Sequence, residues 1–296
     1  MNILVIGGAG FLGSHLVDCL EKARHKVTIY DKNYGHFKKK DKKKIIIGDI
    51  NNYHKLSKAI KNKDVVYNYA AISDIGETIS KPIQTTKNNI LANVVILDLC
   101  VKFKIKKFIF ASTIYVHSSQ GSFYKVSKQS SELFIEEYFK KFGLNYSIIR
   151  FGSVFGPRAS KKNGLSKIIH KALAEKKIFY SGTKKAVRKF IHVKDAARGS
   201  VEALKNKYNN KNLLLTGNNA IKIIEVLKNV SKILNIKKKP TFSNSTSEGH
   251  YNITPYSYVP KKDLKIKIKN TISLKDGILE LIKDIKKNEQ KNSTRN

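Results

Sequence analysis

The sequence predicts an α/β fold, a doubly wound parallel sheet covered by helices on both faces, with a smaller C-terminal lobe. Three observations point to it. Short runs rich in Val, Ile and Leu alternate with helical patterns through the first half of the chain. The runs are continuously apolar, as strands buried on both faces are. After Phe151 the rhythm breaks into a turn-rich loop and irregular elements, so a second, smaller unit is expected there.

NILVI at 2–6 reads as a buried strand, and Phe11 to Ala23 as the helix after it. VTIYD, ending at Asp31, is a second strand, KKIIIGD, ending at Asp49, a third, and DVVYNYAA, from Asp64, a fourth. Pro82 stands where a helix can begin, and LANVVILDLCVKF carries the helical period. KKFIFAS is a fifth strand, Phe123–Phe142 a helix and NYSIIRF a sixth strand. Right-handed crossovers between parallel strands then give a doubly wound sheet. FGSVFGPRAS is a loop, Ser166–Glu175 a helix, HVKDAARGSVEALKN helical, and NLLLTG a strand that returns to the sheet. The expected organisation is a sheet domain over 1–155, completed by about 186–217, with a substrate-binding lobe from 156–185 and 218–285. The tail KKNEQKNSTRN at 286–296 has no apolar residue and is expected to be disordered.

The chain has 296 residues, 41% of them hydrophobic, enough for a well-buried core. No apolar run is long enough to span a membrane, and the opening NILVIGGAG is too short for a signal peptide. Cys19 and Cys100 fall in predicted helices and read as core residues of a reducing compartment, so a cytoplasmic location is expected. The formal charge of +36 comes from lysines spread along the whole length, with short clusters at Lys38–Lys40, Lys42–Lys44 and Lys237–Lys239. Arginine, the usual reader of phosphates and bases, is scarce, and no nucleic-acid motif is present. Neither a specific nucleic-acid partner nor a membrane partner nor a metal site is expected.

Gly7, Gly10 and Gly13 form G-x-x-G-x-x-G between the first strand and the first helix. Phe11 and Leu12 lie between them, in the first helical turn. A helix N-terminus offers free amides and a positive dipole end to a pyrophosphate, and glycine lets the backbone approach it. Asp31 ends the second strand eighteen positions past Gly13, where an acidic side chain takes the hydroxyls of an adenosine ribose. Its charge would repel a ribose phosphate, which favours NAD over NADP, although Lys32 and Lys38–Lys40 stand nearby.

Tyr124 and Lys128 are four residues apart, and therefore on one helix face, with Thr113 a short loop upstream. That spacing fits an exposed aromatic–cation pair as well as the acid–base residues of an enzyme.

GGAGFLG, GDI at 48–50, NYAA at 68–71, Tyr124-x-x-x-Lys128 and RFGSVFGPR at 150–158 together resemble the extended short-chain dehydrogenase/reductases. More narrowly they resemble the NAD-dependent nucleotide-sugar epimerase/dehydratase family, from Met1 to about residue 285. The resemblance implies a Rossmann domain binding NAD. Asp49 and Ile50 would flank the adenine, and Ala70 and Ala71 would line the phosphates and nicotinamide ribose. Asn89 matches an asparagine behind the site. FASTIYV at 110–116 puts Thr113 at the family's catalytic Ser/Thr position. Tyr124 would face the nicotinamide with Lys128 beneath it, the ammonium lowering the tyrosine pKa. Ser153, Arg158 and Arg188, the last in VRKFIHVKD, would bind the sugar nucleotide, while His192 and Asp195 would be structural.

Departures from the family narrow the reaction. The loop from Thr113 to Tyr124 is short, and Ser153 replaces a frequent asparagine. HYNITPYSYVP at 250–260 stands where a second diphosphate-binding arginine is expected. Dehydrating relatives carry an Asp–Glu pair just after the catalytic threonine, because eliminating water needs an acid and a base. Here those positions are Ile114 and Tyr115, and the acidic residue used by sugar-acid decarboxylases is missing too. The expectation is an NAD-dependent epimerase acting at C4 of a nucleotide-diphosphate hexose. A keto-reductase with the same residues, a nucleotide-sensing module and a basic nucleic-acid-associated protein are the alternatives. A homodimer through the helices at about 82–102 and 123–142 is what the resemblance implies for assembly.

Overall fold

A computed structural model describes residues 1–38, 41, 43–243, 264–266 and 270–293. The first half alternates as β1 (Asn2–Ile6), α1 (Phe11–Lys22), β2 (Lys26–Asp31), β3 (Ile45–Ile47), α2 (Tyr53–Ile60) and β4 (Val65–Asn68). Next come α3 (Ile75–Ser80) and α4 (Pro82–Thr85), which runs through a π-helical turn (Thr86–Leu91) into α5 (Ala92–Lys102). β5 (Lys107–Thr113), a 3-10 turn (Ile114–His117), α6 (Ser122–Phe142) and β6 (Tyr146–Phe151) complete this half. The second half holds β7 (Ser153–Phe155), α7 (Gly164–Glu175), β8 (Phe179–Tyr180), β9 (Val187–Arg188), β10 (Phe190–His192) and α8 (Val193–Glu202). It ends with β11 (Lys211–Leu215), β12 (Ile221–Lys222), α9 (Ile223–Ile233), β13 (Thr241–Phe242), β14 (Leu264–Lys265) and α10 (Leu274–Ser293).

Eight strands form one sheet in the order β14-β11-β6-β5-β4-β1-β2-β3, and each neighbouring pair is parallel. NLLLTG therefore does return to the sheet, with Leu213 paired to Ile149. The continuous apolar runs follow from this arrangement. In β1, Ile3 and Val5 join the cluster on one face, while Leu4 and Ile6 join the cluster on the other. β5 divides the same way, Ile109 to the first face and Phe108 and Phe110 to the second. Successive strand side chains point to opposite faces, so a strand covered on both sides must be apolar throughout. α1 and α8 supply the first cover through Leu16, Val17, Leu20 and Ala196. α2, α5 and α6 supply the second through Leu56, Ile96, Leu97 and Ile135.

A third apolar cluster lies in the C-terminal half. Leu165 and Ile169 of α7, Val226 and Val230 of α9, and Ile278, Leu281 and Ile282 of α10 share it. α10 differs from expectation, because residues 286–293 continue the helix instead of forming a disordered tail. Ile278, Leu281, Ile282 and Ile285 recur at helical spacing and anchor its first turns. Lys, Glu and Gln, all good helix formers, then carry it onward without apolar content. The sequence reading also omitted α2, whose N-cap Asn52 accepts a hydrogen bond from the Lys55 amide. Residues 250–260 and Lys39–Lys40 lie outside the described residues. Among the described residues no helix is long and apolar enough to cross a membrane.

Leu281 is fully buried where α10 meets the rest of this third core. Leu281→Ala is expected to destabilise the protein by about 2–5 kcal/mol, the usual cost of a cavity at such a site. Urea unfolding of the full chain measures it.

Candidate active site

All strands of a parallel sheet end at one edge, and the residues singled out by sequence gather there. The chain reverses its direction of winding between β1 and β4, which is where open sheets of this kind bind ligands. Gly7 has φ of +77°, and a Cβ there would lie 2.5 Å from the Ala70 amide nitrogen, so the turns after β1 and β4 touch. A Cβ on Gly13 would lie 2.1 Å from the Gly7 carbonyl oxygen. Only glycine at both positions lets α1 begin this close to the strand end.

The first turn of α1 has no side-chain cap, and the Gly10 amide already donates to the Gly7 carbonyl. Ser14 donates to the Gly10 carbonyl as the first intrahelical bond, which leaves the amides of Phe11, Leu12 and Gly13 for an anion. Asp31 stands beside them at the end of β2. Its carboxylate accepts from the Ala9 amide at 3.0 Å and the Lys32 amide at 2.8 Å. Burial raises its pKa, and the amide hydrogen bonds pull the other way. Asp49 accepts from the Asn51 backbone and side chain, and its carbonyl receives the Tyr30 hydroxyl at 2.7 Å, fixing the GDI turn with Ile50 against the core. Glycines that admit close approach, bare amides and an acidic side chain at the second strand end together suit a dinucleotide such as NAD.

Thr113, Tyr124 and Lys128 lie one strand further along the edge. Thr113 ends β5, and its hydroxyl hydrogen-bonds with Tyr124 on α6. Lys128, one helical turn on, is 3% exposed and donates to the Ala111 carbonyl at 2.8 Å, with its Nζ 4.5 Å from the centre of the Phe110 ring. Asn89 bridges the two ends of the site. Its side chain accepts from the Ile72 amide and donates to the Ile72 carbonyl and Ser127 hydroxyl. The residue falls in the π-helical turn, a local widening that is common at functional sites.

One expectation is reversed. Tyr124 was expected to have its pKa lowered by Lys128, yet burial pushes it up to about 12, against the Thr113 hydrogen bond. Burial also lowers Lys128 to about 7, with Glu132 opposing. Withdrawal from water disfavours the phenolate and the ammonium alike. The lysine is thus held partly neutral, and the cation that should stabilise the phenolate is weakened.

On the substrate side, Phe151 pairs with Thr113, and Ser153 follows two residues later with its amide donating to the Lys189 carbonyl. That contact brings Arg188 to the same edge, where it is 9% exposed and approaches the Tyr180 hydroxyl at 3.4 Å. Arg158 does not join them. It has φ of +64°, its guanidinium pairs with Asp18 of α1 at 2.8 Å, and its amide donates to Asp284 of α10. The reversed backbone turns it toward those acids, so in this structure Arg158 braces a loop. Asp195 accepts from Arg198 and the Ile272 amide, a bracing position. Ile114 is buried, and the Tyr115 ring packs edge-on to Tyr124 with centroids 6.4 Å apart.

Sequence reading missed a buried cluster behind the site. Glu132 accepts two hydrogen bonds from Arg150, at 3.1 and 2.6 Å, and one from Ser112. The available signals were an acid one helical turn past Lys128 and an arginine inside an apolar strand run.

Gly13→Ala is expected to abolish NAD binding measured by calorimetry, since the added methyl collides with the turn. Asp31→Ala is expected to reduce the preference for NAD over NADP by roughly ten- to a hundredfold, the value of a charge-assisted hydrogen bond at about 1.5–3 kcal/mol. Tighter binding of NADP than NAD by the unaltered protein would reassign the pocket to the neighbouring lysines.

Comparison with known proteins agrees with this geometry. The chain is 30% identical over 230 residues to a dTDP-D-glucose 4,6-dehydratase of Dictyostelium discoideum, covering 66% of this chain and about half, 53%, of that protein. It is 30% identical over 224 residues to a putative UDP-glucose 4-epimerase of Methanocaldococcus jannaschii, covering 68% and 73%. Among solved structures, UDP-glucuronic acid 4-epimerase from Bacillus cereus, in complex with UDP-glucuronic acid and NAD, superposes with a TM-score of 0.84 at 27% identity, covering 97% and 99%. A family model matches residues 3–214, and with the glycine turn and the Thr–Tyr–Lys set in place the chain belongs to the NAD dependent epimerase/dehydratase family.

Proposed function

We propose that this chain is an NAD-dependent epimerase that inverts C4 of a nucleotide-diphosphate hexose through a transient keto sugar. The observation that carries the reading is the Thr113–Tyr124–Lys128 set at the end of β5, with Ile114 and Tyr115 following it. This set can move a proton at one hydroxyl, and the two positions after Thr113 hold no acid–base pair to expel water. The comparison with a UDP-glucuronic acid 4-epimerase supports C4 and a uridine nucleotide.

Bound NAD supplies a reversible hydride acceptor. Thr113 holds the C4 hydroxyl, Tyr124 takes its proton, and the same tyrosine returns it after the keto sugar has presented its other face. At about 12 the Tyr124 hydroxyl is a poor base at neutral pH, so positive charge must stand beside it during turnover, and Lys128 is the side chain placed to provide it. Arg188 is suited to the diphosphate, because a guanidinium grips two phosphate oxygens where an ammonium grips one.

The assembly we propose is a homodimer through α6 and the segment before α5. Phe123, Leu133 and Phe134 of α6 are exposed, as are Ile83 and Leu91. Apolar surface of that extent on two adjoining helices is unusual on a monomer.

Incubation with UDP-, GDP- and CDP-hexoses should yield an isomer of unchanged mass and no accumulated NADH. A product lighter by one water would mean a dehydratase, and NADH consumed in proportion to a keto sugar would mean a reductase. Tyr124→Phe should cut turnover by roughly a hundredfold or more, with NAD binding nearly intact. Arg188→Ala should raise the KM for the sugar nucleotide while leaving the Kd for NAD unchanged. Leu133→Lys should convert the dimer to a monomer in analytical ultracentrifugation.

A further inference from the structure

We propose that Glu132 is a positioning residue for Lys128, its buried carboxylate locking α6 against the end of β5 and placing a negative charge one helical turn from the lysine. The proposal rests on the reading of Tyr124 and Lys128 as the reacting pair. Tyr124, Lys128 and Glu132 are spaced four apart and share one face of α6. Each meets the end of β5: Tyr124 meets Thr113, Lys128 the Ala111 carbonyl, and Glu132 the Ser112 hydroxyl. Three consecutive strand residues thus receive three successive turns of the helix.

Glu132 is the rigid member of this set. Arg150 grips both carboxylate oxygens, through Nε at 3.1 Å and Nη2 at 2.6 Å. The side chains of this pair are 3% and 8% exposed. Arg150 is also the cross-strand partner of Ser112, so a single carboxylate ties α6 to β5 and β6 together. A bidentate, desolvated pair of this kind has little freedom to rearrange.

The elements around Lys128 carry many titratable or charged groups, among them Tyr124, Lys125, Glu132 and Glu136 on its own helix, Tyr146 and Arg150 on β6, Lys107 on β5, Tyr115 and His117 in the turn after β5, Glu77 of α3, Lys87 of the π-helical turn and Asp98 of α5. His117 Nε2 lies 3.4 Å from Arg150 Nη1, so it belongs to the same cluster. Within this set Glu132 is the charge that favours the ammonium against burial. Without it burial would push the lysine further toward its neutral form, which cannot favour a Tyr124 phenolate.

The test is a pH titration of the ligand-free protein labelled with 13C at lysine Cε, followed by NMR. Lys128 is identified by the resonance lost in Lys128→Met, which separates it from Lys107, the other buried lysine, itself lowered to about 8. The wild-type midpoint should lie near 7. Glu132→Gln should move it down by about one pH unit or more. If that variant fails to fold with Arg150 unpaired, Glu132→Gln with Arg150→Met removes both charges and should show a smaller shift in the same direction. Glu132→Asp keeps the charge and should stay near the wild-type midpoint. An unmoved midpoint in the charge-removing variants, or an equal drop in the Asp variant, would overturn the proposal and leave Glu132 a merely structural residue. Absence of epimerase activity in the wild type would sink the functional reading while leaving this titration intact.

Discussion

Parallel pairing of the strands is the constraint on which the rest depends. Because β1, β2, β4, β5 and β6 all run the same way, their C-terminal ends share one edge, and the turns that follow them converge. Gly7, Asp31, Ala70, Thr113 and Ser153 are far apart in sequence, yet each stands at or just beyond a strand end on that edge. The close approach of Gly7 to Ala70 shows how tightly two of these turns meet. Parallel pairing also requires crossover connections, and those helices bury both faces of the sheet. A rigid platform results, and Thr113, Tyr124 and Lys128 stand at its rim.

Desolvation sets the chemistry of that rim. Tyr124 and Lys128 are both pushed toward their neutral forms. Charges that survive burial must be paired, and the Arg150–Glu132 pair is the one built beneath the site. Burial therefore opposes ionisation of both side chains.

Much of this was legible in the sequence, for physical reasons. Buried parallel strands must be continuously apolar, so NILVI, KKFIFAS and NYSIIRF announced themselves, and the glycine triplet had to sit where a helix begins beside a strand end. Other features depend on contacts between distant residues. The direction of the Tyr124 pKa shift follows from burial, which the four-residue spacing to Lys128 does not report. Arg158 sits in a motif that suggested substrate, but a positive φ and two distant acids, Asp18 and Asp284, decide its orientation. The helix through 286–293 lacks apolar residues, and its existence depends on the apolar turn that precedes it. Arg150 lay within a run read simply as a strand, and nothing local revealed that Glu132 would meet it.

The central claim is that one carbon is oxidised and then reduced within a single site, without elimination or solvent exchange. The most direct measurement is turnover of an accepted nucleotide hexose carrying deuterium at C4, with the product isolated and examined by mass spectrometry and NMR. The expected product is an isomer inverted at C4 that retains the deuterium at C4. Loss of the label to water would contradict it, because the C4 hydrogen would then have left as a proton.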